Sequence, residues 1–246
     1  MARSIAWRLA TVAAIRDETP TVRSFTLALP DWPGHRPGQH VDIRLTAEDG
    51  YSVERSYSIA SEPERDGLVD LTVERIPDGE VSAFLHDVVV PGDRFEVRGP
   101  IGGYFVWEAP LGGPLLLVAG GSGIVPLMAM LRHRARAGSA APTRLLYSSR
   151  GADEIIYRAE LDALATDGSG LDVHHTLTRT QPPGWTGYAR RIDERMLADV
   201  VEPIRPSTRV FICGPTALVE TAANALVRLG LPAGQIRTER FGPTGT

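Results

Sequence analysis

Up to Ala109 polar and apolar residues alternate in short runs bounded by turn residues: Val22 to Leu27, His40 to Leu45, Arg55 to Ile59, Val69 to Val73 and Arg94 to Val97. A period of two predicts strands with one buried and one wet face, as in a small barrel. One helix is expected among them, near Val81 to Val88. After Gly113 the pattern changes. Apolar runs at Leu115 to Ala119, Thr143 to Ser148, Leu171 to Thr178 and Arg209 to Cys213 alternate with helical stretches at Pro126 to Ala137, Asp153 to Ala165, near Asp193, and Pro215 to Leu229. Such alternation predicts a parallel sheet wrapped by helices, with ligands at the carboxyl ends of its strands. Two domains follow, residues 1–109 and 110–246, joined by the Gly/Pro-rich segment Ala109 to Pro114, with no internal repeat.

Ala109 to Leu131 carries no charge and on length alone could cross a bilayer. Five glycines and three prolines interrupt it. The better parse is strand Leu115 to Ala119, a turn at Gly120-Gly121-Ser122-Gly123, and a helix from about Pro126. The apolar start, Met1 to Leu9 around Arg3 and Arg8, is too short for the core of a signal peptide. A cytoplasmic protein with no membrane association is expected.

Composition narrows the chemistry. The chain has 246 residues, 43% hydrophobic and 23% charged, and its formal charge of −4 gives no basic footprint for nucleic acid. All 26 basic residues are arginine. The absence of lysine excludes Schiff-base catalysis and the phosphate loop that ends in Lys. Cys213, the single cysteine, can form no intramolecular disulfide and cannot supply four thiolates to a cluster. His174 and His175 are adjacent on a strand and point apart, and His35, His40, His86 and His133 lack ligand spacing, so no metal is expected. Arg132-His133-Arg134-Ala135-Arg136 reads as a solvated helix face, or else as a dock for an acidic redox partner.

Two short motifs carry chemistry. Gly121-x-Gly123-x-x-Pro126 lies between strand and helix, where small residues let backbone approach a ligand and the helix points free amides at it. A pyrophosphate suits that place, although a purely structural turn has the same letters. Arg55-Ser56-Tyr57-Ser58 sets a guanidinium and an aromatic ring on one side of a strand. That pair could clamp a phosphate and cover a flat ring. Equally, it could be a surface Arg beside a half-buried Tyr.

Order decides more than either motif does. Arg55-Ser56-Tyr57-Ser58, Gly79-Glu80-Val81-Ser82, Gly99-Pro100-Ile101-Gly102, Gly121-x-Gly123-x-x-Pro126, Cys213-Gly214-Pro215 and Glu239-Arg240-Phe241 follow one another along the chain. In this order and spacing the sequence, from about Trp7 to Phe241, resembles the ferredoxin-NADP reductase family. The resemblance implies a six-stranded antiparallel Greek-key β-barrel with one helix that binds FAD. After it would come an α/β domain with a five-stranded parallel sheet that binds NADP.

It also implies roles. Arg55 would pair with the flavin pyrophosphate, with Ser56 beside it in the motif. Tyr57 would cover one face of the ring and Ser58 would reach towards its reactive nitrogen. Amides of Glu80, Val81 and Ser82 would hold the same pyrophosphate at a helix start, which Asp78 or Gly79 could also simply cap. Backbone of Val73, Glu74 and Arg75 would border the ring's polar edge. Gly121, Ser122 and Gly123 would take the nicotinamide dinucleotide's pyrophosphate. Cys213, with Gly214, would stand beside the nicotinamide, and Phe241 would shield the other flavin face. Ser58, Cys213 and Glu239 would align the reacting rings. The tail Gly242 to Thr246 departs from members that end at the aromatic, and resembles those whose chain continues into a ferredoxin-like domain.

Ser149-Arg150 and Thr178-Arg179 follow two strands and would hold a 2′-phosphate, which favours NADPH over NADH. The implied activity is hydride transfer from NADPH to FAD, then single electrons to a separate redox protein such as a ferredoxin or an oxygenase or haem component. Its identity is open, and a monomer is expected. Reduction of free flavins, quinones or other small acceptors is the alternative, and a non-catalytic flavin-binding regulatory subunit is a third reading.

Overall fold

The computed structural model describes residues 5–166, 168, 170–205 and 207–241. Arg3 and the tail Gly242 to Thr246 lie outside the described residues. The barrel half contains β1 (Trp7–Thr19), β2 (Val22–Ala28), β3 (His40–Thr46), β4 (Ser52–Ser58), β5 (Leu68–Glu74), α1 (Glu80–Asp87) and β6 (Arg94–Ile101). These strands form a six-stranded sheet in the order β4-β3-β6-β1-β2-β5, with every neighbouring pair antiparallel. Just past β4, Ile59 bridges Leu71 of β5, so the two edge strands meet and the sheet curls closed. Alternation places Val41 and Ile43 of β3, Val69 and Leu71 of β5, and Phe95 and Val97 of β6 in one core with Val81 and Leu85 of α1.

The second half contains β7 (Leu115–Gly120), α2 (Ile124–Arg136), β8 (Thr143–Ser149), α3 (Arg158–Thr166), β9 (Leu171–Leu177), α4 (Glu194–Val201), β10 (Arg209–Pro215), α5 (Thr216–Arg228) and β11 (Ile236–Phe241). The five-stranded sheet runs β11-β10-β7-β8-β9, all parallel. Every residue of β7 is buried, because helices cover both faces of the sheet. Leu115, Leu117 and Ala119 face the core that α2 closes, while Leu116 and Val118 face the one that α4 and α5 close.

The structure adds two strands that the alternation did not reveal, β1 and β11. It moves others. Helix is absent from Asp153 to Tyr157, where a short 3-10 turn and Ile155 to Tyr157 precede α3; Ile155, Ile156 and Tyr157 are buried against the sheet and cannot share one helical face. Asp193 caps α4 by accepting the Met196 amide at 2.8 Å. The charge-free stretch is strand, turn and helix, and among the described residues no helix is long and apolar enough to cross a membrane.

The basic run on α2 is not a solvated face. Arg134 is 2% exposed and gives Nε and Nη2 to the Ala141 carbonyl. Arg132 ties the Ala60 carbonyl of the barrel half at 2.8 Å to Glu160 of α3 at 2.7 Å. Only Arg136 of the three is exposed. Helix α2 lies on the seam between the two halves, where Arg132 reaches a barrel carbonyl, while Arg134 is buried within the sheet half on the loop before β8.

Candidate functional site

The glycine turn is built by close backbone packing. A Cβ on Gly123 would lie 2.1 Å from the Cys213 carbonyl oxygen, so only glycine lets the start of α2 press on the end of β10. Gly214 answers from the other side: at φ +155°, a Cβ there would lie 3.1 Å from the Gly120 Cα. Gly121, at φ +53°, faces open space. That space is a cavity of about 750 Å³. Gly120, Ser149, Thr178, Pro215 and Phe241 line it, so a residue at or just past the carboxyl end of each of the five parallel strands contributes. Glu74 and Ile76 of the barrel half complete the wall. The glycine turn and the barrel are joined directly: Ser122 Oγ donates to Glu74 Oε2 at 2.9 Å.

At the far end Ser149, Arg150 and Thr178 all line the cavity. Paired loops hold them, since the Thr178 amide donates to the Ser149 carbonyl and the Arg179 amide to the Arg150 carbonyl. The Ser149 hydroxyl, buried beside the Tyr147 phenol, has no hydrogen-bond partner of good geometry. Arg150 stands 3.7 Å from Glu154. Arg179 is exposed and is not among the lining residues; Arg191, which precedes α4, lines the cavity instead, with Thr221 of α5.

On the barrel, Arg55 is exposed and its Nη1 reaches only the neighbouring Glu54 carbonyl, at 2.7 Å. Ser56 turns away from it and donates to Asp42 Oδ1 at 2.6 Å, whose other oxygen takes Arg98. Tyr57 is half-buried, and that burial pushes its phenol up to about 12. Ser58 is buried and lies opposite His40. Gly79 is the N-cap of α1 and the first helical bond runs from Ala83 to the Gly79 carbonyl. The helix therefore gives no partner to the amides of Glu80, Val81 and Ser82. The Ser82 hydroxyl is used within the turn, accepting the Ile76 amide and donating to the Gly79 carbonyl, each at 3.2 Å. Asp78 makes no cap.

Of the β5 end, the Val73 carbonyl takes His86 Nε2 at 2.8 Å and the Arg75 amide donates to Thr21. The Arg75 guanidinium pairs with Asp87 at 2.7 Å. Only the Glu74 side chain is turned to the glycine turn.

Cys213 and Glu239 are opposite one another in the β10–β11 register, and Phe241 lies opposite Pro215. Cys213 is fully buried; that burial and the Glu239 charge hold its thiol well above the ordinary range. Burial pushes the Glu239 carboxyl up to about 7, and its Oε2 has no partner. Phe241 packs on the core at the cavity wall. Among the described residues no hydrogen bond joins Ser58 to Cys213 or Glu239, and no three His, Cys, Asp or Glu are grouped to hold a metal.

The donor sets fit two nucleotides: an exposed guanidinium held only by its neighbour's carbonyl and free helix amides on the barrel, and on the sheet a glycine cradle with an orphan hydroxyl. Residues 9–106 match the oxidoreductase FAD-binding domain family, and residues 117–224 the oxidoreductase NAD-binding domain family. A ferredoxin–NADP reductase B of Sorangium cellulosum is 35% identical over 94% of this chain and 96% of its own length. The chain belongs to the ferredoxin–NADP reductase family. A second relative is the glycine betaine monooxygenase reductase subunit of Pseudomonas aeruginosa, 32% identical over 92% of this chain. This reductase-family chain spans only 62% of that subunit's length. The flavohaem-like FAD/NAD-binding domain of nitric oxide dioxygenase from Vibrio cholerae superposes with a TM-score of 0.85 at 26% identity, covering 96% of this chain and 99% of that one.

Proposed function

We propose that this chain takes reducing equivalents from NADPH through FAD to a separate redox protein. The observation that carries the reading is the shared cavity: all five sheet strands end on it, and the barrel's Glu74 and Ile76 close it. When bound, the two cofactors supply the redox chemistry, a hydride passing from NADPH to FAD and single electrons leaving it. The protein supplies placement and exclusion of water.

Arg55 and the free amides of Glu80, Val81 and Ser82 would hold the FAD pyrophosphate, with Ser56 buttressing the strand through Asp42. Tyr57 and Phe241 would flank the ring, and Val73, Glu74 and Arg75 would border it. Gly121, Ser122, Gly123 and Gly214 would seat the dinucleotide. Ser58, Cys213 and Glu239 would align the reacting rings, Glu239 Oε2 holding or releasing a proton near neutrality beside Cys213. The division into residues 1–109 and 110–246 belongs to the same reading, as do a monomer and a cytoplasmic location. A ferredoxin or an oxygenase or haem component is the acceptor favoured by the names of the relatives.

For the 2′-phosphate, Ser149, Arg150 and Thr178 stand, and Arg191 replaces Arg179 as the second cation, because Arg191 lines the cavity. Arg191→Ala should weaken NADPH by about 1–3 kcal/mol while leaving NADH nearly unchanged. Arg179→Ala should change the affinity for neither cofactor. Equal losses for both cofactors would remove the phosphate assignment.

The activity itself is tested anaerobically. Purified chain should carry a flavin spectrum that NADPH bleaches, and ferredoxin should reoxidise it much faster than free flavin does. A colourless chain that takes up no FAD would end the reading, and equal rates with both oxidants would end the protein-acceptor part.

A further inference from the structure

Tyr157 is a bulky residue in the left-handed region, at φ +60°, a strained conformation that persists only where its surroundings hold it. The side chain explains what holds it. Tyr157 belongs to the α/β half, just before α3, yet its hydroxyl is buried against β5 of the barrel, where it donates to Thr72 Oγ1 at 2.5 Å. Thr72 and Ser24 share a hydrogen bond at 2.7 Å, and Ser24 donates to Glu18 at 2.6 Å. Each hydroxyl has one proton, so the chain has one direction: Tyr157 to Thr72, Thr72 to Ser24, Ser24 to Glu18.

A second arm closes over the first. The Arg132 guanidinium lies 5.0 Å from the centre of the Tyr157 ring, gives Nη1 to the Ala60 carbonyl at 2.8 Å and binds Glu160 at 2.8 and 2.7 Å. Ala60 in turn donates its amide to the Asp70 carbonyl, so both arms end on the seam where β4 runs into β5. Residues 72 and 74 share one side of strand β5. Hence Thr72 meets Tyr157 and, two residues on, Glu74 meets Ser122 of the glycine turn.

We propose that Tyr157 and Arg132 form an interdomain pin that sets the angle of the barrel against the wound sheet, and so the placement of one cofactor over the other. Both are positioning residues, since neither lines the cavity nor belongs to the cradles assigned above. The consequence for the rings rests on the proposed function; the pin itself does not.

The test separates the two. Nitroxide labels at Glu48→Cys and Asp199→Cys report the distance between the halves, Cys213 being fully buried and unlabelled. The parent should give one narrow distance distribution, and Tyr157→Phe, which keeps the ring and removes only the hydroxyl, should broaden it. Thr72→Val, which loses the bond to Ser24 as well, should broaden it at least as much, and the double variant should be no broader than Thr72→Val alone, because the bond from Tyr157 is already gone. In FAD-loaded protein Tyr157→Phe should slow flavin reduction by NADPH roughly tenfold, with KM for NADPH within about twofold and the flavin–nicotinamide charge-transfer absorbance reduced. An unchanged distribution in both single variants overturns the pin. A broadened distribution with unchanged flavin reduction overturns its positioning role. Should the parent not oxidise NADPH at all, the functional reading falls while the distances still decide the pin.

Discussion

The two halves build the groups proposed to hold ligands by different means. In the wound sheet the cradle is backbone: Gly123 and Gly214 are wedged between strand ends whose neighbours are buried on both faces. In the barrel the candidate groups join the free amides at the start of α1 to side chains on one half-exposed strand, with Arg55 exposed at the surface and Tyr57 half-buried beside it. In the first case the site and the fold are the same contacts. In the second, the site is added to a strand whose register, fixed by Val41 opposite Tyr57 and Ile43 opposite Arg55, stands without it.

Two substitutions break or sharpen this contrast. Gly123→Ala should have the largest effect, because the new Cβ meets the Cys213 carbonyl, which is strand backbone and cannot move aside. A loss of about 3 kcal/mol or more in denaturant stability is expected, together with loss of NADPH binding. Arg55→Ala should separate what Gly123→Ala couples. Folding stability should change by less than about 0.5 kcal/mol. FAD should nevertheless be lost on gel filtration, an effect of about 2–3 kcal/mol on binding from one charge-assisted contact. Stoichiometric flavin retained by Arg55→Ala, or a fully stable Gly123→Ala that binds NADPH, would erase the contrast.

The same difference explains what could be read along the chain. The turn at Gly121 and Gly123 was legible because it falls between an apolar strand and a helix, while Gly214 entered only through the resemblance; the structure packs Gly123 against the end of β10. Both sheets were expected, yet β1 and β11 hid from the alternation. β1 is interrupted by register shifts between Val12 and Ala14 and between Asp17 and Thr19. β11, Ile-Arg-Thr-Glu-Arg-Phe, is an edge strand with one buried residue, so its letters look like loop. Arg191 escaped because it sits in an irregular segment after β9, whose path no periodicity predicts. Arg132 and Arg134 misled for the opposite reason: their spacing reads as a wet helix face, whereas the docking of the halves covers Arg132 and the loop before β8 covers Arg134.

The buried charges sharpen the comparison through pH, with a smaller effect. Burial lowers His35 and His40 in the barrel half and His174 and His175 in the sheet half, so each prefers to be neutral when folded. Their penalty appears as pH falls below the unfolded value of about 6.5, and both halves should weaken on acidification. Glu239 belongs to the sheet alone and runs the other way. Its folded value of about 7 lies above the ordinary 4.5, so the folded state holds the proton longer. Its contribution is complete below about 4.5 and is lost as pH rises through 7. Glu239→Gln should therefore stabilise the protein at pH 8 by on the order of 1–2 kcal/mol, discounted for partial exposure, and the gain should shrink to nothing as pH falls towards 4.5. Denaturant midpoints across that range decide it. A gain independent of pH would mean that Glu239 is not held protonated between β10 and β11, and that the proton assigned to Oε2 beside Cys213 is not there.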